Sequence, residues 1–194
     1  MEIASPKPFA TNPELVLKFH KQKGKQLLNL KTNKANIYLT KLEDYFEVTE
    51  VTQNVDDLDE KSRSTNILHL HGELLKVRNT VDAQLILDWA VDLVMGQVYS
   101  KGNQLRTHIV WFNETAPKLE KAITMITIAD ILVIIGTSTQ VYPVVILINY
   151  VSKNTPIHLI DPKPAVNKDQ FEDLIVIEKV VSIGTNKPIV LLQN

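Results

Sequence analysis

Apolar residues change their period along this chain of 194 residues, and the change marks out its elements. Over residues 13–30, Leu15, Leu17, Phe19, Leu27 and Leu28 stand among lysines, and Asn12-Pro13 supplies a helix start with proline in the first turn. Residues 33–45 carry Ile37, Leu39, Leu42 and Tyr45 at near-helical spacing. Two amphipathic helices are therefore expected first. Beyond Phe46 short β-prone runs take over: Val48 and Val51, then residues 67–70, 109–112, 131–135, 157–160 and 174–177, with helical candidates at 118–128 and 143–151 between the later ones. Strands alternating with helices, and a strand as continuously apolar as 131–135, predict an α/β fold with a Rossmann-like parallel sheet carrying helices on both faces. Residues 78–106 are expected to form an insertion making a small lobe, with a helix around residues 83–95 and a polar break at 99–103.

Composition narrows the picture. With 44% hydrophobic residues the chain can bury one core and reads as a single domain over residues 1–194. A formal net charge of −1 gives no electrostatic reason to expect nucleic acid or an anionic membrane as partner. The absence of cysteine excludes disulfides, thiolate zinc sites and a cysteine nucleophile, so no metal is expected and any small lobe is held by packing alone. The first residues lack the basic-then-apolar plan of a signal peptide, and the most apolar stretch, 126–151, is broken by Asp130 and by Gly136-Thr137-Ser138, so a cytoplasmic protein is expected.

Three short motifs fall where hydrophobic strands run out into loops, which is where open α/β sheets place ligands: Thr52-Gln53-Asn54-Val55-Asp56, His71-Gly72 and Gly136-Thr137-Ser138. Gln53, Asn54 and Asp56 offer amide and carboxylate groups to sugar hydroxyls or a carboxamide; the plain alternative is a turn capped by Asn54 and Asp56. His71, before a flexible glycine, has the titration range of a general base, or is a structural histidine, while His69 is expected to point to the other side of the strand. Gly136, Thr137 and Ser138 bring backbone amides and hydroxyls close to a phosphate or ribose, or form an ordinary strand-to-helix turn.

Taken together and in order, residues 52–58 (TQNVDDL), 68–73 (LHLHGE), 104–114 (QLRTHIVWFNE), 129–138 (ADILVIIGTS) and 141–143 (VYP) resemble the sirtuins, the NAD-dependent protein lysine deacylases, and in particular bacterial members without zinc-binding cysteines. The resemblance runs from Ala4 onward and implies a Rossmann-like sheet with a small helical, zinc-free lobe. It implies that Asn54 and Asp56 line the nicotinamide and ribose pocket, that Gln53 contacts the nicotinamide ribose, and that His71 is the catalytic histidine. It further implies that Gly136, Thr137 and Ser138 hold the adenosine side of NAD, with Asp161 near the adenine ribose, and that Val110 and Phe112 wall the acyl-lysine tunnel beside which a peptide adds as a strand.

The departures are as specific. The family's first strand, its Gly-Ala-Gly-x-Ser turn and its mobile cofactor loop are expected to be missing from this chain, which would remove backbone contacts to the diphosphate and expose strand edges inside the sheet. Asn113 stands at a family Gly, Asp59 at a usual His, and Ser62-Arg63 at a usual Ala-Gly; Glu50 puts a charge in the strand before Thr52. His20 and Lys23 match the Tyr-x-x-Arg pair that reads acidic acyl groups in one branch, where lysine offers a point charge without the bidentate fork of arginine, or they belong to a solvated helix face. Three functions follow: an NAD-dependent deacylase acting on acyl-lysine proteins or peptides, a non-catalytic nucleotide or acyl-peptide binder, and an NAD hydrolase using the same Asn54 and His71.

Overall fold

The structure, a computed structural model, describes residues 3–99, 102–137, 144–164, 171 and 174–181. The chain divides into two compact units, the first made of Met1–Lys31, Val51–Lys61 and His69–Pro117, the second of Thr32–Glu50, Ser62–Leu68 and Lys118–Asn194. It passes from one to the other along β1 (Glu50–Thr52) and β2 (Ile67–His69), which pair as a two-stranded sheet.

In the first unit, α1 (Pro6–Thr11) leads into α2 (Pro13–Leu28). The Asn12 side chain accepts a hydrogen bond from the Leu15 amide at 3.1 Å and Pro13 occupies the first turn, so the helix starts where the sequence places it. Its apolar face buries Val16, Leu17 and Leu27. Against it lies a sheet of order β4-β3-β6-β5, from β3 (Gly72–Asn79), β4 (Ile86–Asp88), β5 (Val98–Tyr99) and β6 (Asn103–Ile109), all antiparallel. Leu17, Val77, Leu93 and Leu105 form one core cluster, with Phe9, Leu87 and Trp89 packed on it; Val16, Ile109 and Trp111 form a second, joined by Val55 and Leu74.

This sheet corrects the reading of residues 78–106. The expected helix around residues 83–95 is absent, replaced by β4 and the turns around it. Leu85, Leu87 and Trp89 are half-buried while Gln84, Ile86, Asp88 and Ala90 are exposed, a period of two that belongs to a strand. The Asn79 side chain starts the reversal by accepting from the amides of Val81 and Asp82 at 2.8 and 3.0 Å. The strand expected at 109–112 also lies earlier, since β6 ends at Ile109.

The second unit holds α3 (Lys34–Leu42), α5 (Leu119–Thr127), α6 (Val144–Leu147) with a following 3₁₀ turn (Ile148–Tyr150), and a parallel sheet β7-β8-β9. A capping box between Asn33 and Asn36 starts α3. The strands β7 (Leu132–Ile135), β8 (Ile157–Ile160) and β9 (Leu174–Ile177) fall on the expected apolar runs, and β8 is buried along its whole length. Ile134, Ile148, Ile157 and Leu159 form the core here. The short α4 (Leu58–Lys61) belongs to the first unit.

Glu50 is accommodated rather than stranded: Ser64 donates to its carboxylate at 2.5 Å, and Thr40 reaches both Ser62 and Ser64. Arg63 and Asn113, both at positions where the resembling family has glycine, have φ of 79° and 70°, the left-handed region that asparagine tolerates and arginine rarely enters.

Candidate functional site

Within the first unit, the loop after β1 meets the end of β2 through two histidines. The Nδ1 of His71 lies 3.1 Å from the Gln53 carbonyl, and the Nδ1 of His69 lies 3.1 Å from the Asn54 carbonyl. A carbonyl only accepts, so Nδ1 carries a proton in both rings, and the Nε2 of His71 is left as an acceptor. His69 and His71 thus act on the same loop rather than on opposite sides of the strand; residues two apart share a face, the spacing that signals this in the sequence. Burial pulls the His71 imidazole below its ordinary value of 6.5, with the bond to Gln53 acting weakly the other way. His71 is half-buried and neutral at pH 7, as a base must be.

The main chain of Asn54 is held at both ends, its amide by Thr52 Oγ1 at 3.1 Å and its carbonyl by His69, while the residue itself is exposed. Asp56 accepts from the Leu58 amide at 3.2 Å and so opens α4, while lining a cavity of about 310 Å³ with Asp57, Glu60, Glu73, Lys76 and Asp88. Beneath that cavity's lining the buried His69 brings a ring nitrogen within 4.8 Å of carboxylate oxygens of Glu60 and Glu73, and the Lys76 ammonium pairs with Glu73 at 2.8 Å.

Gly72 permits this geometry. Its φ is 77°, and a Cβ there would lie 2.1 Å from the His108 carbonyl oxygen, a backbone atom fixed in β6. Gly72→Ala is expected to cost about 1–2 kcal/mol from the backbone conformation alone, with the separation of β3 from β6 added, and urea unfolding of the variant checks it.

Val110 continues from the same pairing, its amide donating to the His71 carbonyl at 2.8 Å, so that His71 and Val110 are neighbours. Phe112 is 59% exposed, while Trp111 between them is 3% exposed and anchors the loop in the core. Nothing in the sequence singles out Glu114, whose Oε2 accepts from Arg106 at 2.7 Å, from Arg78 at 3.0 Å and from the Trp111 amide at 2.9 Å. The Arg106 guanidinium also lies 3.6 Å from the centroid of the Trp111 ring. The run Trp111-Phe112-Asn113-Glu114 is therefore tied to two strands through one carboxylate oxygen.

His20 and Lys23 take different surroundings. His20 is 6% exposed and stacks on Trp111 at 6.5 Å, whereas Lys23 is exposed with its ammonium 5.8 Å from the Phe19 ring centroid. Burial, with nothing to offset it, lowers the His20 imidazole from 6.5 to about 4. The unfolded chain then binds a proton that the folded chain refuses, so this contribution to stability is complete above pH 6.5 and is lost as pH falls toward about 4. The loss is about 3 kcal/mol for a shift of this size, and His20→Phe is expected to flatten that part of the stability-against-pH curve measured by thermal unfolding.

The second unit carries the other predicted residues. Ile135 pairs with Ile160 in the parallel sheet, so Gly136 and Asp161 follow side by side at the carboxyl ends of β7 and β8, the edge where such sheets take ligands. The Gly136 amide donates to Ile160 at 3.0 Å; its φ is 59°, and a Cβ would come within 3.2 Å of Val181. The Asp161 carboxylate accepts from the Lys163 amide at 2.7 Å, and Thr137 is half-buried beside Gly136. Ser138 lies outside the described residues. Gln53, Asn54, His71 and Val110 are thus assembled in one unit, and Gly136, Thr137 and Asp161 in the other.

The Sir2 family model matches residues 1–143. An NAD-dependent protein deacylase of Helicobacter pylori is 47% identical over 163 residues, covering 84% of this chain and 71% of its own length. An NAD-dependent protein deacylase of Bacteroides thetaiotaomicron is 40% identical over 192 residues, covering 96% of this chain and 82% of its own. A solved Sir2 homologue in complex with NAD superposes with a TM-score of 0.85 at 28% identity, over 98% of this chain and 76% of that one. With residues 1–143 matched by the family model, the chain belongs to the Sir2 family.

Proposed function

We propose that the chain is an NAD-dependent protein lysine deacylase, moving the acyl group of a modified lysine onto ADP-ribose with release of nicotinamide. The observation that carries this reading is the His71 ring, fixed through Nδ1 by the Gln53 carbonyl with Nε2 left to take a proton. The relatives named NAD-dependent protein deacylase, 47% and 40% identical, support it.

The donor set fits the cofactor. Asn54 projects its amide from a main chain held at both ends, suited to the nicotinamide carboxamide and ribose together with Gln53 and Asp56. Gly136, in the left-handed region at φ 59°, with Thr137 and the Asp161 carboxylate at the sheet's carboxyl edge, suits the adenosine side, with Ser138 assigned there as well. Held by these residues, NAD would supply an electrophilic ribose carbon to the acyl oxygen, with nicotinamide as the leaving group. His71 then accepts a ribose hydroxyl proton on Nε2 while Gln53 holds the ring in one tautomer. Val110 and Phe112 wall the acyl-lysine tunnel, and of the pair His20 and Lys23 only the exposed Lys23 is free to offer an acyl group a point charge, His20 being buried against Trp111. The half-buried His71 needs no metal to act as a base.

Among the described residues no helix is long and apolar enough to cross a membrane. We place the protein in the cytoplasm, where NAD and acylated proteins meet, as a bacterial, zinc-free member acting on proteins rather than nucleic acid.

Because burial holds His71 below 6.5, kcat/KM is expected to stay level through neutral pH and to fall only below that value, as a pH–rate profile reads. Calorimetry tests cofactor use: NAD binding that strengthens with an acetyl-lysine peptide supports the deacylase, and a folded protein without NAD binding contradicts it.

A further inference from the structure

Both main-chain groups of Asn54 are occupied, and the donor to its carbonyl is a histidine that the proposed reaction does not use. His69 is only 4% exposed. Its Nδ1 faces the Asn54 carbonyl at 3.1 Å and its Nε2 faces Glu60 Oε1 at 2.7 Å. Neither partner has a hydrogen to offer when Glu60 is ionised, so the chain Glu60–His69–Asn54 closes only with a proton on each ring nitrogen, the second shared with the carboxylate. A separation of 2.7 Å is that of a charge-assisted hydrogen bond. Glu73, the other carboxylate beside the ring, is already matched by Lys76 at 2.8 Å, and Lys76 is also 3.9 Å from Asp88. Asp57, at the rim of the same cavity, is paired with Lys61 at 2.8 Å, and Asp56 is turned to the Leu58 amide. Glu60 is left as the carboxylate that balances His69.

We infer that His69 and Glu60 are positioning residues: a hydrogen-bonded relay that fixes the Asn54 carbonyl and thereby aims the Asn54 amide and orders the loop whose next carbonyl neighbour, Gln53, holds His71. The two rings read successive carbonyls of one loop, so a change in the His69 relay reaches the tautomer and direction of His71 through a single peptide unit. With the buried His69 and the half-buried His71 each bonded to one of these carbonyls, the loop has little freedom to move independently of both. The kinetic consequence rests on the deacylase reading above; the hydrogen-bond assignment does not.

The relay is tested on the full chain with His69→Asn, His69→Phe and Glu60→Ala. The amide nitrogen of an asparagine at position 69 reaches about as far as Nδ1, so His69→Asn can still donate to the Asn54 carbonyl, whereas His69→Phe cannot. Misplacing a reacting group by an ångström costs on the order of 100-fold. His69→Phe is expected to lower kcat about 10- to 100-fold with the KM for acetyl-lysine peptide unchanged, Glu60→Ala less, and His69→Asn to recover most of the loss. Equal loss in His69→Asn and His69→Phe, or full activity in both, overturns the inference. Long-range ¹H–¹⁵N spectra of the wild-type histidines supply a reading independent of turnover and of whether a variant folds. Protonated Nδ1 on both His69 and His71, with Nε2 protonated on His69 alone, supports the relay; a His69 ring protonated only at Nε2 overturns it. A wild-type protein without deacylase turnover but with these ring protons would sink the deacylase reading and leave the relay standing.

Discussion

His71→Ala is expected to lower the rate of acetyl-lysine peptide deacylation by about 10²- to 10⁴-fold, the range that a positioned general base contributes. The fold is expected to survive. His71 is half-buried between β2 and β3, its ring bond is to a loop carbonyl, and its main-chain carbonyl, which pairs with Val110, is kept in the variant. The core beside it comes from Leu70, 1% exposed, and from Gly72 closing on β6. NAD affinity is expected to change little, because Asn54 and Asp56 are held by Thr52, His69 and the Leu58 amide and not by His71. Steady-state kinetics beside calorimetry separates these quantities. A variant that turns over at the wild-type rate would remove His71 from the mechanism.

Glu114→Ala is expected to cost about 3–5 kcal/mol of stability, because it strands buried guanidinium groups. The Arg106 side chain is 6% exposed and the Arg78 side chain 12%, and both donate to the single Oε2 that also takes the Trp111 amide. Burial pulls the Arg78 guanidinium below its ordinary value while Glu114 opposes that shift, the balance expected of a half-buried cation beside a counter-charge. Glu114→Gln keeps an acceptor oxygen and loses the charge, so a smaller loss is expected there. The consequence extends to function: Val110 and Phe112, assigned to the acyl-lysine tunnel, flank Trp111, whose amide the same carboxylate holds. Urea unfolding measures the first effect, and the KM for peptide in Glu114→Gln the second. A loss below about 1 kcal/mol, the worth of an exposed ion pair, would mean that water reaches these guanidinium groups.

Elements whose period was unambiguous were legible in the sequence. The strands β8 and β9 coincide with runs 157–160 and 174–177, and α2 starts at the asparagine and proline that announce it. These segments need no information from distant residues. The antiparallel sheet of the first unit was not legible, because β3 and β6 are made by pairing across a long separation and carry charged residues such as Lys76 and Arg106 among their apolar ones. Residues 83–95 were misread as a helix because Leu85, Leu87, Trp89 and Leu93 satisfy a loose helical count as well as the alternation that decides.

The site divides in the same way. Gln53, Asn54, Asp56 and His71 stand in motifs that name themselves, and the structure ties Gln53 and Asn54 to the histidines through their carbonyls. What the sequence withheld were the supporting groups. Glu60 and Glu114 are ordinary glutamates until folding places one at 2.7 Å from His69 and the other among two arginines. Asn113 reads as a departure from a glycine motif, yet its φ of 70° is one that asparagine reaches without glycine's freedom. His20 looks like one more polar residue on a lysine-rich helix, and only its stacking on Trp111 shows that it faces inward.

An acyl-lysine substrate and NAD are expected to react together at His71. Nicotinamide release from NAD, followed with and without an acetyl-lysine peptide and with the acyl product identified by mass, tests it most directly. Release is expected to require the peptide, to match acyl-ADP-ribose mole for mole, and to disappear in His71→Ala. Release at the same rate without peptide would make the chain an NAD hydrolase, and no release from a folded, NAD-binding protein would make it a binding protein.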